Sequence, residues 1–207
     1  MMFVKICGIT NADDARAAVA HGASAVGFVF WPSSPRFVEP NRAREIVAGL
    51  PPGVSAVGVF VNQPAGEVNQ IAEAVGLGVV QLHGDESEGY AAMMGRPVIK
   101  SVAVSGEIPE VGAWPPSVTL LVDARDPVRR GGTGRQADWA AAAAIARTRR
   151  VILAGGLTPD NVAEAISAVQ PYGIDVSSGV ERSPGVKDHA RLAALFEAVR
   201  FARPITL

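Results

Sequence analysis

A single cysteine, three histidines and almost no net charge bound what this chain of 207 residues can do. One cysteine, Cys7, cannot close an intrachain disulfide, so stability must come from a packed core. Lysine and arginine total 19 against 20 for aspartate and glutamate, a formal charge of −1, which excludes a global field recruiting nucleic acid or an anionic membrane. Any anion site must therefore be local. No apolar run reaches the length of a membrane span, and MMFVKICG has neither the basic segment nor the apolar centre of a secretory signal, so the expected compartment is the cytoplasm. No Cys/His pair has metal-ligand spacing, no Ser-His-Asp set argues for nucleophilic catalysis, and no GxGxxG follows the first apolar run. Linkers, repeats and low-complexity blocks are missing too; Ala140 to Ala144 is a run of strong helix formers, and residues 1–207 are read as one domain.

What the chain does contain is alternation. Apolar, β-branched runs fall at residues 3–7, 25–30, 55–61, 79–82, 98–102, 118–123, 151–154 and 173–176. Helical patterns lie between them, at Asp13 to His21, Asn41 to Leu50, Ala65 to Val75, Asp138 to Arg147, Pro159 to Val169 and Asp188 to Phe201. Strand-helix alternation requires a parallel sheet with right-handed crossovers, and strands apolar on both faces require helices over the sheet. Eight such units favour an α/β fold of the (β/α)8 barrel type, near the lower end of its size range. A doubly wound open sheet is the second choice, weakened by the missing dinucleotide fingerprint. Val104 to Ser117 carries Pro109, Pro115 and Pro116 and leaves room for at most a short fifth helix. Arg147-Thr148-Arg149-Arg150 reads as a solvated helix end.

In such a barrel, ligands bind on the loops that follow the strands. Those positions carry Cys7, then Trp31 with Ser34-Pro35-Arg36, then Asn62, His83-Gly84, Asp123, Gly155-Gly156 and Ser177-Ser178-Gly179. Cys7 and Asp123 pair a potential base with a potential acid across the mouth: a thiolate removes a carbon-bound proton while a carboxylic acid protonates an oxygen. Gly155-Gly156-Leu157-Thr158-Pro159 is expected to start a helix with Thr158 as N-cap and Pro159 in its first turn. With the bare backbone of Ser178 and Gly179 it suits a phosphate, bound by N–H groups and needing no lysine. Arg36, on a rigid Ser-Pro loop, can pair with a carboxylate, and His83 can donate to the same anion or cap its strand. Asp126 is expected to be solvated. Asp175, inside the eighth strand, either lines the phosphate end or satisfies buried backbone. His21 and His189 are expected to be surface or capping residues.

The motifs VKICGIT (4–10), SPR (34–36), GVFVN (58–62), QLHG (81–84), LLVD (120–123), GGTG (131–134), LAGGL (153–157) and DVSSGVE (175–181) occur in order along nearly the whole chain. On them the chain resembles the phosphoribosylanthranilate isomerases of tryptophan biosynthesis. The resemblance implies a cofactor-free, phosphate-binding barrel that converts N-(5-phosphoribosyl)anthranilate to 1-(2-carboxyphenylamino)-1-deoxyribulose 5-phosphate by an Amadori rearrangement. It puts the general base on Cys7, the general acid on Asp123, the anthranilate carboxylate on Arg36 and the phosphate on the loops of Gly155-Gly156 and Ser178-Gly179. Partial burial would keep Asp123 protonated, to open the furanose ring, before the Cys7 thiolate takes the C2′ proton. Ala124 departs from the family habit of a polar residue after the acid. Indole-glycerol-phosphate synthase would need a catalytic lysine at a strand end, where this chain offers only Lys5 and Lys100 as strand lysines. The histidine-pathway isomerase favours an aspartate base where Cys7 stands, and a phosphate sensor built on a retired barrel should have lost the acid or the base. The small molecule is the expected partner, with the chain a monomer or homodimer.

Overall fold

The computed structural model describes residues 2–104, 111–124 and 138–202. Eight strands hydrogen-bond in chain order and the last closes on the first, each neighbour parallel: β1 (Phe3–Cys7), β2 (Ala25–Val29), β3 (Ser55–Phe60), β4 (Val79–Leu82), β5 (Val98–Val104), β6 (Thr119–Ala124), β7 (Val151–Leu153) and β8 (Gly173–Val176). Helices α1 (Ala12–His21), α2 (Pro40–Ala48), α3 (Ala65–Val75), α4 (Glu88–Ala91), α5 (Trp139–Ala146), α6 (Val162–Val169) and α7 (His189–Phe201) follow them, with 3-10 turns at Val111–Ala113, before β6, and Ser178–Val180, after β8. This is the (β/α)8 barrel. None of the described helices is long and apolar enough to cross a membrane.

The strand pleat sorts the side chains. Alternate residues point outward into a large cluster shared with the helices, where Phe30 stacks on Phe60 at 5.2 Å between ring centres. The others point inward. Ala25, Val57, Ile99, Leu121 and Ile152 fill the barrel with apolar side chains, and Phe3 and Val79 pack against them. Lys5, Gln81 and Asp175 occupy inward positions and are buried as well. At the mouth Cys7, Val29 and Val59 cluster under Trp31.

Local signals explain the helix ends. Asn11 accepts a hydrogen bond from the Asp14 N–H at 2.9 Å and caps α1, which stops at Gly22 in the left-handed region, φ 110°. Asp138 and Asp188 cap α5 and α7 in the same way. One expectation fails: α6 begins at Val162, not at Pro159. Thr158 Oγ1 does make the capping bond, accepting from the Asp160 N–H at 3.2 Å, but on a turn ahead of the helix. Asn161 accepts from the Thr158 N–H at 2.8 Å and donates to the Gly156 carbonyl at 2.9 Å, which ties residues 156–161 into that turn. The basic run is also more than a solvated helix end. Arg149 donates to the carbonyls of Val111, Trp114, Pro115 and Val118 at 2.8 to 3.2 Å, fixing the proline-rich approach to β6, and Arg150 lies over the Tyr172 ring.

Candidate active site

Between β8 and α7 the chain forms a small antiparallel hairpin, β9 (Glu181–Ser183) and β10 (Val186–Lys187), that the apolar pattern does not announce. It builds half of the mouth. The Lys187 ammonium, fully buried, donates to the carbonyls of Cys7 at 2.5 Å and Ser177 at 3.3 Å and to Glu181 Oε1 at 2.9 Å, so one cation clamps the ends of β1 and β8. The Lys187 N–H in turn donates to Asp14 Oδ2 at 2.8 Å, and His189 meets the other oxygen of that carboxylate at 2.9 Å, docking the hairpin on α1. His189 is thus a partner of Asp14 rather than a simple surface residue, whereas His21 ends α1 and stacks on Phe196.

Arg36 reaches the mouth from the loop after β2. Its stem lies over Gly8, where an added Cβ would stand 2.6 Å from Arg36 Cδ, and Gly8 has φ 76°, so both space and conformation require glycine. Glu181 accepts from Arg36 Nε at 2.9 and 3.1 Å and from Nη2 at 2.7 Å. One edge of the guanidinium is therefore held inside the protein, and among the described residues the side-chain contacts of Arg36 engage two of its five N–H donors, leaving the rest for an anion. Burial works against the Glu181 carboxylate, but Arg36 and Lys187 outweigh it and hold its carboxyl below the ordinary range.

Cys7 is the last residue of β1, with 8% of its surface exposed. Burial pushes its thiol above the ordinary value; the Lys5 ammonium pulls down against that, and Asp175 adds to the rise. Lys5 itself, wholly buried, donates to Asp175 Oδ1 at 2.9 Å. Burial would lower its pKa, yet Asp175 and Cys7 raise it above the ordinary lysine value. Asp175 thus answers a buried cation, a role that neither expectation for it named.

Asp123 stands on β6, one residue before its end, paired in register with Ala103 and 8% exposed. His83 Nε2 lies 3.6 Å from Asp123 Oδ2, and Gln81 Nε2 lies 3.0 Å from His83 Nδ1. The structure thus groups His83 with the candidate acid and Arg36 with the candidate base. Behind them, Lys100 donates to Glu86 Oε2 at 2.8 Å and to the Gly84 carbonyl at 2.7 Å, while Glu86 accepts from the N–H groups of Asn62 and Gly84, so the loops after β3 and β4 are tied to β5.

The glycine loops meet. An added Cβ on Gly179 would overlap the Leu157 carbonyl, so the turns after β7 and β8 touch backbone to backbone. Gly155 and Gly156 have φ 85° and 64°, open only to glycine without strain. Ser177 Oγ is buried and has no hydrogen-bond partner among the described residues. The GGTG motif at 131–134 and Asp126 lie outside the described residues.

Comparison with known proteins agrees with this layout. The family model for N-(5'-phosphoribosyl)anthranilate (PRA) isomerase matches residues 4–198. The chain is 48% identical over 205 residues to the N-(5'-phosphoribosyl)anthranilate isomerase of Pelobacter propionicus, covering 98% of this chain and 96% of that one. The crystal structure of phosphoribosyl anthranilate isomerase from Thermus thermophilus superposes with a TM-score of 0.90 at 44% identity, over 98% of this chain and all of that one. A phosphoribosyl anthranilate isomerase solved in complex with reduced 1-(o-carboxyphenylamino)-1-deoxyribulose 5-phosphate superposes at 0.86 with 40% identity, over 97% of this chain and 100% of that one. A barrel with a thiol on β1, a carboxylate on β6 and paired glycine turns after β7 and β8, similar over nearly its whole length to these enzymes, belongs to the N-(5'-phosphoribosyl)anthranilate isomerase family.

Proposed function

We propose that this isomerase of tryptophan biosynthesis rearranges N-(5'-phosphoribosyl)anthranilate with Asp123 as general acid and Cys7 as general base. Asp123 gives its proton to the furanose ring oxygen while the anthranilate nitrogen lone pair expels that oxygen from C1′, leaving an open-chain Schiff base. The Cys7 thiolate then removes the C2′ proton, and the electrons of that bond neutralise the iminium nitrogen to form an enolamine. Tautomerisation gives the amino ketone, 1-(2-carboxyphenylamino)-1-deoxyribulose 5-phosphate. The two assisted steps, ring opening and C2′ deprotonation, each use one proton transfer at a side chain.

Two receptors suit the two anions of the substrate. The glycine turns after β7 and β8 offer backbone N–H groups to the phosphate. Arg36, with one edge held by Glu181, offers its remaining donors to the carboxylate, while His83 lies on the acid's side. The observation that carries the reading is the placement of Cys7 at the end of β1 and Asp123 near the end of β6, on strands separated around the barrel by β7 and β8, whose loops touch through Gly179 and Leu157. Freshly made phosphoribosylanthranilate mixed with the protein should lose its fluorescence as it is converted. A failure to turn over that substrate overturns the reading.

A further inference from the structure

We propose that Lys5 is a positioning residue for the reaction: its buried ammonium, shared between Asp175 and the Cys7 thiol across the bare face of Gly27, is the counter-charge that lets the thiol become a thiolate. The inference rests on Cys7 being the base and adds what makes it one.

The geometry starts at Gly27, paired in register with Cys7 on the neighbouring strand. A Cβ built there would stand 2.8 Å from Cys7 Sγ, 3.0 Å from Lys5 Cε and 3.1 Å from Lys5 Nζ. Sulfur and ammonium thus converge on the one spot where β2 has no side chain. Lys5 and Cys7 are two residues apart on β1 and point inward together. The lysine is wholly buried, so water does not screen it, and its carboxylate partner among the described residues is Asp175 at 2.9 Å, which is paired with it in register on β8.

A buried ion pair made only for stability has no need of a thiol beside it, and a thiol needing only burial has no need of a cation. Here the two meet, with opposing effects on the sulfur: burial and Asp175 disfavour the thiolate, Lys5 favours it. The other charges around Cys7 are already committed. Lys187 binds the Cys7 carbonyl and Glu181, and Arg36 binds Glu181, while Asp123 on β6 and His83 just after β4 face one another. Lys187 also favours the thiolate, but Lys5 is the stronger influence and the cation whose side chain lies beside the sulfur at Gly27. The lysine stays protonated throughout, so it moves no proton itself and holds the field in which Cys7 exchanges one.

Because Cys7 is the only cysteine, its ionisation can be read in the intact protein from thiolate absorbance near 240 nm against pH, with Cys7→Ser as the blank. Lys5→Met should raise the thiol midpoint by about one unit or more, the size of a close opposite charge. Asp175→Asn should move it the other way, since removing the carboxylate leaves the ammonium wholly to the sulfur. A Lys5 that serves only the ion pair would leave the midpoint in place in Lys5→Met, whereas Asp175→Asn lowers it through the lost carboxylate in either case and serves as the control that the sulfur feels this cluster. An unmoved or lowered midpoint in Lys5→Met overturns the proposal; should Lys5→Met not fold, Lys5→Gln, which keeps a donor to Asp175, is read in its place. Cys7→Ser turnover tests the base separately, so the two readings fail independently.

Discussion

Glu181 holds Arg36 by one edge, with three contacts of 2.7 to 3.1 Å, and is itself held by Lys187 at 2.9 Å. An arginine on a loop would otherwise lose rotamer freedom on meeting its ligand. Here that ordering is already in place before the substrate arrives. The hairpin carrying Glu181 and Lys187 thereby aims a guanidinium on the far side of the sequence, 145 residues away from Glu181.

Glu181→Gln keeps the shape and removes the charge, so it loosens the aim of Arg36. Its expected effect is a higher KM, by about tenfold if a charge-assisted bond worth ~1.5 kcal/mol is weakened, with kcat changed little. Arg36→Lys should do the same, because an ammonium cannot satisfy Glu181 and a second carboxylate with a fixed fork. Steady-state kinetics on both variants check this. Unchanged KM in both would make the Arg36–Glu181 pair a structural strut only.

Cys7→Ser and Asp123→Asn should each cut kcat by about 100-fold to 10,000-fold, the usual contribution of a general base or acid. Affinity for the reduced product analogue should stay close to that of the parent, since neither change touches the anion receptors. Measuring kcat beside analogue binding separates the two effects. Near-normal turnover by Cys7→Ser would remove the base assignment.

Much of this was legible in the sequence because short-range patterns determine it. Each strand of the barrel is a run such as FVKIC or GIDV, and Cys7, Asp123 and the two glycine turns sit where those runs stop. The misses have two causes. Thr158-Pro159 satisfies the capping rule locally, yet Asn161 takes the Thr158 N–H and the Gly156 carbonyl and delays α6 to Val162. The polar contacts of the mouth join residues far apart in the chain: Lys5 meets the Asp175 carboxylate across 170 positions and Lys187 donates to the Cys7 carbonyl across 180. A lysine in the middle of FVKIC, on the inward-facing side of the pleat, was the one signal that a buried counter-charge had to exist.

Acid should loosen the hairpin through Asp14. Burial disfavours its carboxylate, but the Lys187 N–H, His189 and Asn11 outweigh burial and hold its pKa below the ordinary value. With the folded pKa depressed, the unfolded chain binds the proton first, so Asp14 contributes stability above its unfolded pKa of about 4 and loses it as pH falls through the folded value. Asp14→Asn should be less stable at pH 7, and its urea midpoint should drop less than the parent's on going to pH 3. Parallel losses in the two proteins would show that other carboxylates dominate acid unfolding.

The phosphate is the sharpest test of the glycine turns, because a strained glycine substitution can fail for two different reasons. Gly156 has φ 64°, so Gly156→Ala introduces a residue in the left-handed region at about 1 kcal/mol or more of strain, whatever the position does for a ligand. Gly53 supplies the control: its φ is 91°, nothing lies within 4 Å of an added Cβ, and it sits in the turn before β3, away from the strand ends that form the mouth. Both variants should lose stability by a similar small amount in thermal unfolding. Only Gly156→Ala should raise KM for the phosphorylated substrate and weaken inhibition by inorganic phosphate, since only there does the backbone have to approach an anion. Gly179→Ala should behave like Gly156→Ala and more severely, because its methyl group would drive against the Leu157 carbonyl and part the two turns. If Gly53→Ala and Gly156→Ala change KM alike, the glycines after β7 serve the turn and the phosphate is held elsewhere.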